Sequence, residues 1–130
     1  MGILTDEDRA LLSERQLAHV ATLEADGSPH VTPVWIDVDG DHILFNTAKG
    51  RVKHRNLLRD PRVAVSVVDK ADDYRTLCIK GTAELIDEGA DAHIDKLAKK
   101  YLDADTYPFR KPGEVRVIVR ITPTERLKVN

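Results

Sequence analysis

Asp26-Gly27 and Asp39-Gly40 each sit between runs rich in Val, Ile, Thr and Leu, and this commits the first third of the chain to antiparallel strands. An Asp-Gly step takes up the positive-φ backbone of a tight hairpin turn, whose twist matches the strands on either side. Around the turns the residues keep the period of two that a strand imposes, with Val31, Pro33 and Trp35 set against Thr32, Val34 and Ile36. Strands are therefore predicted over Leu17 to Leu23, His30 to Val38 and His42 to Asn46. Pro33 has no N–H to give to a ladder, so its strand belongs at an edge or at a bulge, where the open backbone is available to a ligand.

The rest of the chain alternates between helix and strand signals. Thr5-Asp6-Glu7-Asp8 predicts a helix start, with a hydroxyl cap and acids at the positive end of the dipole, and a short helix through Leu12. A helix of about two turns is expected over Lys49 to Asp60, stopped by Pro61. Strands follow over Arg62 to Val68 and Tyr74 to Ile86, the second bending at Gly81. Glu88 to Leu102 reads as a helix, Asp103 to Pro112 as a polar loop, and Glu114 to Thr122 as a strand. Pro123 should break that strand before a short terminal one. Hairpin turns wherever strands are consecutive argue for a mainly β fold, an antiparallel barrel decorated by helices, over parallel βαβ units. The length of 130 residues fits one domain over 1–130.

Charge narrows the partners. With 20 Lys and Arg against 22 Asp and Glu, the net charge of -2 provides no basic field to steer the chain to nucleic acid, so any anion site is local. Apolar runs such as Val63 to Val68 fall far short of the roughly 20 residues that span a bilayer, and the acidic start lacks the features of a signal peptide. A cytoplasmic location without membrane association is expected, in keeping with the single cysteine, Cys78. Cys78 lies in Leu77-Cys78-Ile79 and is expected as a small buried hydrophobe. The five histidines show no metal-ligand spacing, so no metal site is assigned, and there is no nucleophile elbow, P-loop or G-x-G-x-x-G turn. No catalytic acid, base or nucleophile is identified.

Two constellations remain. In Asn46-Thr47-Ala48-Lys49-Gly50-Arg51-Val52-Lys53-His54-Arg55 a strand end runs through small and hydroxyl residues into a helix start loaded with cations. Free amides there point at an anion and the dipole adds about half a positive charge. Thr47 can donate its hydroxyl, Arg51 can grip two phosphate oxygens, and Lys53 adds a compact charge. A phosphate clamp and a solvated basic helix face are the two readings of this segment. The second constellation, Thr32-Pro33-Val34-Trp35, offers an apolar wall and open backbone groups to a flat heteroaromatic ring, or else buries its tryptophan in the core.

The run from Gly50 to Ala64, with Thr32-Pro33-Val34-Trp35 and Phe45-Asn46-Thr47 before it, resembles the split β-barrel flavin and deazaflavin oxidoreductases. These are the pyridoxamine 5'-phosphate oxidase-like proteins, and the likeness is greatest to their coenzyme F420-dependent branch. It implies an FMN-binding split barrel, a homodimer with cofactor at the subunit interface, and a hydride transfer between F420 and a small unsaturated organic acceptor. By position, Arg51 and Lys53 match the phosphate-binding pair, Asn46, Thr47 and Ala48 line the approach, and Thr32, Pro33, Val34 and Trp35 run beside the ring. Lys49, Arg55 and Arg59 are expected along the oligoglutamate tail that F420 carries and FMN lacks. FMN in place of F420, or a non-catalytic flavin or haem carrier, are the alternative readings. The strand around Arg75 lacks the substrate-phosphate set of true pyridoxamine phosphate oxidases, and the arginine-bearing tail is missing, so vitamin B6 oxidation is not the expected activity.

Overall fold

The computed structural model describes residues 2–129. Over that span the chain forms α1 (Asp6–Ser13), β1 (Leu17–Leu23), β2 (Pro29–Trp35), β3 (Asp37–Asp39), β4 (His42–Ala48), α2 (Val52–Arg59), β5 (Arg62–Asp69), β6 (Asp72–Ile86), α3 (Ala90–Leu102) and β7 (Arg116–Arg126). The strands make one antiparallel sheet in the order β2-β1-β5-β6-β7-β4-β3.

That order forces the sheet to curl. β2 and β3 are its two edges, yet only Ile36 separates them in sequence. A chain that steps from one edge to the other in a single residue requires the edges to meet, which gives a barrel split along one seam. Ile36 is fully buried at the seam, and its backbone groups are served by α3: its N–H donates to Tyr101 Oη at 2.9 Å, and its carbonyl accepts from Lys100 Nζ at 2.7 Å. The expected strand from His30 to Val38 is thus two strands. The first pairs with β1 and the second with β4, with Pro33 on the edge strand as its missing donor demands.

Inside the barrel, alternate residues of each strand form the core: Val20, Val65, Val67, Leu77, Ile79, Val119, Ile121, Ile43 and Phe45 are all buried. Leu11 and Leu12 of α1 join the same cluster. α1 begins at a capping box in which Thr5 Oγ1 accepts from the Asp8 N–H and Asp8 accepts from the Thr5 N–H.

Two differences from the expected layout lie near the C-terminus. β7 runs through Pro123 without a break, because the register against β6 slips between Lys80 and Gly81, leaving Thr124 as an extra residue at the bulge. Gly81 is where β6 was expected to bend, and a Cβ there would sit 2.5 Å from the Thr122 carbonyl oxygen, so the close approach of the two strands needs glycine. Cys78 is half-buried on the outer face of β6, with Sγ 3.4 Å from Ser66 Oγ, instead of in the core, because its neighbours Leu77 and Ile79 take the inward positions. Among the described residues no helix is long and apolar enough to cross a membrane.

Lys100 makes the seam sensitive to pH. Its ammonium donates to the Leu12 carbonyl at 2.6 Å as well as to Ile36, and burial pushes its pKa down to about 8 from 10.5. Below about pH 8 folded and unfolded chains both hold the proton, so the cost of burying the charge is felt in full. Between there and 10.5 only the unfolded chain retains it, and stability rises with pH. Tyr101, raised above its ordinary value by burial, keeps its proton when an unfolded tyrosine near pH 10 begins to lose it, which ends the window. Urea unfolding should show stability climbing between about pH 8 and 10, and Lys100→Met should abolish most of that slope. A slope unchanged in the variant would place the effect on another group.

Candidate functional site

Beside the seam, where β2 approaches β4, lies a cavity of about 230 Å³ lined by Pro33, Val34 and Trp35 of β2, Asn46 and Thr47 of β4, Arg51 and Lys53 at the start of α2, Ile94 and Leu97 of α3, Tyr107 and Arg116. A larger cavity of about 390 Å³ opens on the outer face of β1, β5 and β6. Its lining is mostly apolar, and of its two cations, Arg62 and Lys80, the first is already paired with Asp60 at 2.7 Å. The smaller cavity is the one with concentrated chemistry.

One end of it is built for an anion. α2 begins at Arg51, whose extended backbone supplies no side-chain cap, and its first turn holds no acid. This is the reverse of α1, and it leaves first-turn amides without a side-chain acceptor. The Gly50 N–H is not among the free ones, since it donates to His54 Nδ1 at 3.0 Å. Burial, reinforced by nearby Lys49, pushes the His54 pKa down, in keeping with an imidazole that accepts. Thr47, which lines the cavity, is 1% exposed, and its Oγ1 has no hydrogen-bond partner among the described residues. An orphaned buried hydroxyl costs about 1–3 kcal/mol unless something fills its need.

The cations around this end outnumber their counter-ions. Arg51 pairs with Glu114 Oε2 at 3.0 Å, and Arg116 pairs with Glu114 Oε1 at 2.8 Å, so one carboxylate serves both. Burial would raise the Glu114 carboxyl, but Arg116 and Arg51 outweigh it and hold the pKa below its ordinary value. Lys53 Nζ donates to the neutral Thr32 Oγ1 at 2.8 Å. Burial, together with the charge on Arg51, pushes the Lys53 pKa down, the direction expected of an ammonium that lacks a carboxylate. At the other end the wall is aromatic. Trp35 stacks on Tyr101 with ring centroids 5.2 Å apart, Tyr107 meets Trp35 edge-on at 6.1 Å, and the Arg116 guanidinium lies over the Tyr107 ring at 5.2 Å.

Most of the residues singled out from sequence meet here. Pro33, Val34, Trp35, Asn46, Thr47, Arg51 and Lys53 line the cavity, and Thr32 is tied to it through Lys53. Trp35 is half-buried, in an aromatic cluster and on the wall at once. Four others lie elsewhere. Ala48 is buried at the end of β4, and Lys49 pairs with Asp87 at 3.1 Å beside a separate cavity. Arg55 and Arg59 border a groove shared with Glu24 and Asp26. At 3.6 residues per turn, Arg55 stands on the far side of α2 from Lys53. Sequence reasoning missed Arg116, Ile94 and Leu97, whereas Tyr107 stands in the sequence as a further ring candidate for which ordinary packing is an equal or better reading. Arg116 belongs to the alternating set of β7 that faces away from the barrel core, where solvent is the usual environment. α3 covers that face here, and Arg116 is 4% exposed.

Known proteins resemble this chain in sequence and fold. The chain is 35% identical over 119 residues to an F420H2-dependent biliverdin reductase of Mycobacterium tuberculosis, covering 88% of this chain and 84% of that one. Among solved structures it superposes on an F420 reductase with a TM-score of 0.79 at 32% identity, covering 92% of this chain and 94% of the other. A conserved hypothetical protein of Mycobacterium tuberculosis gives 0.73 at 25% identity, over 95% of this chain and 83% of that one. Residues 4–130 match the sequence pattern of the pyridoxamine 5'-phosphate oxidases, and with the split barrel and the cavity at its seam this makes the chain a member of that family.

Proposed function

We propose that this protein is an F420-dependent oxidoreductase that exchanges a hydride between the deazaflavin and a small unsaturated organic acceptor. The observation that carries the reading is the unpartnered Thr47 hydroxyl, buried among Arg51, Lys53 and the uncapped start of α2. A phosphate, with several acceptor oxygens and a negative charge, satisfies all of these groups together. The similarity to an F420H2-dependent reductase and to an F420 reductase supports F420 as the phosphate-bearing cofactor.

The cavity residues fit the phosphate and the ring of such a group. Thr47 and Lys53 would hold the phosphate with the α2 amides, and Arg51 would bridge it to Glu114. Pro33, Val34 and Trp35 would flank the ring, and Pro33 leaves the backbone of its edge strand open to it. Trp35, Tyr107, Ile94 and Leu97 supply the apolar part of the wall. Bound there, F420 supplies a two-electron carrier whose redox centre is C5 of the deazaflavin ring. The chain's own part is orientation, in keeping with a cavity that holds no acid-base pair among the described residues.

We further propose a homodimer with the cofactor at the interface. Over Leu17–Leu23, Pro29–Trp35 and Arg62–Val68 there is no acidic residue, and Leu17, Val31 and Val68 are 51%, 60% and 45% exposed. On this outer face His19 lies opposite Pro33 and Ser66, and Ser66 opposite Cys78. A weakly charged sheet face ending in an exposed edge strand is the kind of surface a second copy covers.

Charge-assisted bonds to phosphate are worth roughly 1.5–3 kcal/mol, so Arg51→Ala and Lys53→Ala should each weaken F420 binding by about 10- to 150-fold in fluorescence titrations. FMN should bind less tightly than F420. Tighter FMN binding, or FMN co-purifying stoichiometrically from a host that makes both, would transfer the assignment to FMN. Thr47→Val removes the unpaired hydroxyl at nearly constant volume, so it should leave thermal stability equal or higher while reducing affinity for F420. A variant that loses stability would show the hydroxyl to be bonded within the protein. Light scattering should give about twice 14.6 kDa, and a monomer that binds F420 with full affinity would remove the interface site.

A further inference from the structure

Asn46 sits on the cavity wall and is held at three points. Its Nδ2 donates to the Ala90 carbonyl at 2.9 Å and lies 3.1 Å from His93 Nδ1, while its Oδ1 accepts from Arg116 Nε at 2.8 Å. A carbonyl can only accept and an Nε–H can only donate, so the amide has one possible orientation. His93 Nδ1 must then be the acceptor, and the ring proton belongs on Nε2, where it is donated to Asp37 Oδ2 at 3.1 Å. Asp37 is itself buried. Burial would raise its carboxyl, but the bonds from His93, the Val38 N–H and Lys96 hold it down at about 2. The result is a continuous chain from exposed Lys96 on α3, through Asp37 on β3 and His93 on α3, to Asn46 on β4 and Arg116 on β7.

Neither Asp37 nor His93 lines the cavity, whereas Asn46 and Arg116 do. Arg116 spends Nε on Asn46 and Nη1 on Glu114, and its Nη2 makes no hydrogen bond among the described residues. A guanidinium fixed at two of its nitrogens, on a residue that lines the cavity and with the third nitrogen left to donate, is pre-organised for an oxyanion. We propose that Arg116 is a further cation for the anionic part of the cofactor, and that His93, oriented by Asp37, is a positioning residue that acts on it through Asn46. This rests on the reading of the cavity as the site of a phosphate-bearing deazaflavin.

The test is a mutant cycle read by fluorescence titration with F420 and, separately, with its deazaflavin chromophore lacking the phosphate tail. His93→Leu fills the space without the two hydrogen bonds and should weaken F420 about tenfold. His93→Gln presents an acceptor and a donor on one amide and should restore most of that loss. Arg116→Lys keeps the charge but not the fork, and should also weaken F420 about tenfold. In the Arg116→Lys background His93→Leu should cost nothing more, because its route to the ligand is gone. The tail-free chromophore should bind all variants alike. Additive losses, an equal loss for the tail-free chromophore, or a His93→Leu variant that melts earlier but binds F420 normally would overturn the proposal. Should His93→Leu fail to fold, the Arg116 Nε–H resonance of the wild-type protein decides. It should shift on titration with F420, and a resonance that stays put overturns the assignment. Unchanged affinity in Arg51→Ala and Lys53→Ala would instead remove the cavity reading itself.

Discussion

A single backbone step at Ile36 governs the rest of this structure. Crossing from β2 to β3 there carries the chain from one edge of the sheet to the other, and the peptide groups at such a crossing have no ladder partner. Leaving them unpaired in a buried setting would cost about 1–3 kcal/mol apiece. Tyr101 and Lys100, adjacent on α3, supply the donor and acceptor functions, and Tyr101 Oη also donates to the Gln16 carbonyl at 2.5 Å. The need for these bonds draws α3 to the seam. Once there, α3 covers the outward faces of β4 and β7 and brings Ile94 and Leu97 to the cavity wall. The closure of the barrel and the formation of the cavity beside its seam are therefore consequences of one constraint.

This also explains which parts could be read from the sequence. The Asp-Gly turns, the twofold periodicity of the strands and the Thr5 capping box are local, and local signals decide β1, β5, β6 and α1. The division of His30 to Val38 into two strands is not local. Nothing in that β-rich run announces a break, because the break answers to which edges meet. Pro123 misled in the opposite direction, since a bulge opposite Gly81 tolerates a residue that would otherwise end a strand.

The same division holds for the site. Arg51 and Lys53 are legible because they follow a strand end within a few residues, and short spacing preserves the geometry. Arg116 is not, being 70 residues from its partner Asn46 and buried by a helix whose placement depends on the seam. Arg55 shows the limit of reading a basic cluster as one surface. A helix turns by about 100° per residue, so cations two apart face opposite ways, and only one of Lys53 and Arg55 can look into the cavity.

The two short helices make the functional logic visible in energetic terms. α1 satisfies its own N-terminus with Thr5 and Asp8, the arrangement that favours stability. α2 places Arg51 at the equivalent position, has no acid in its first turn, and stands beside an unpartnered hydroxyl and a lysine whose charge burial disfavours. Each of these is a local cost that the folded chain tolerates, and all of them are relieved by the same kind of ligand. Glu114 keeps that cost within bounds. By bonding Arg51 and Arg116 at once it stops two neighbouring guanidinium groups from repelling each other or wandering into solvent. It cannot also neutralise Lys53, so a positive potential remains where the amides of α2 converge. An anion binding there meets groups already in place, and its binding energy is not spent on ordering them.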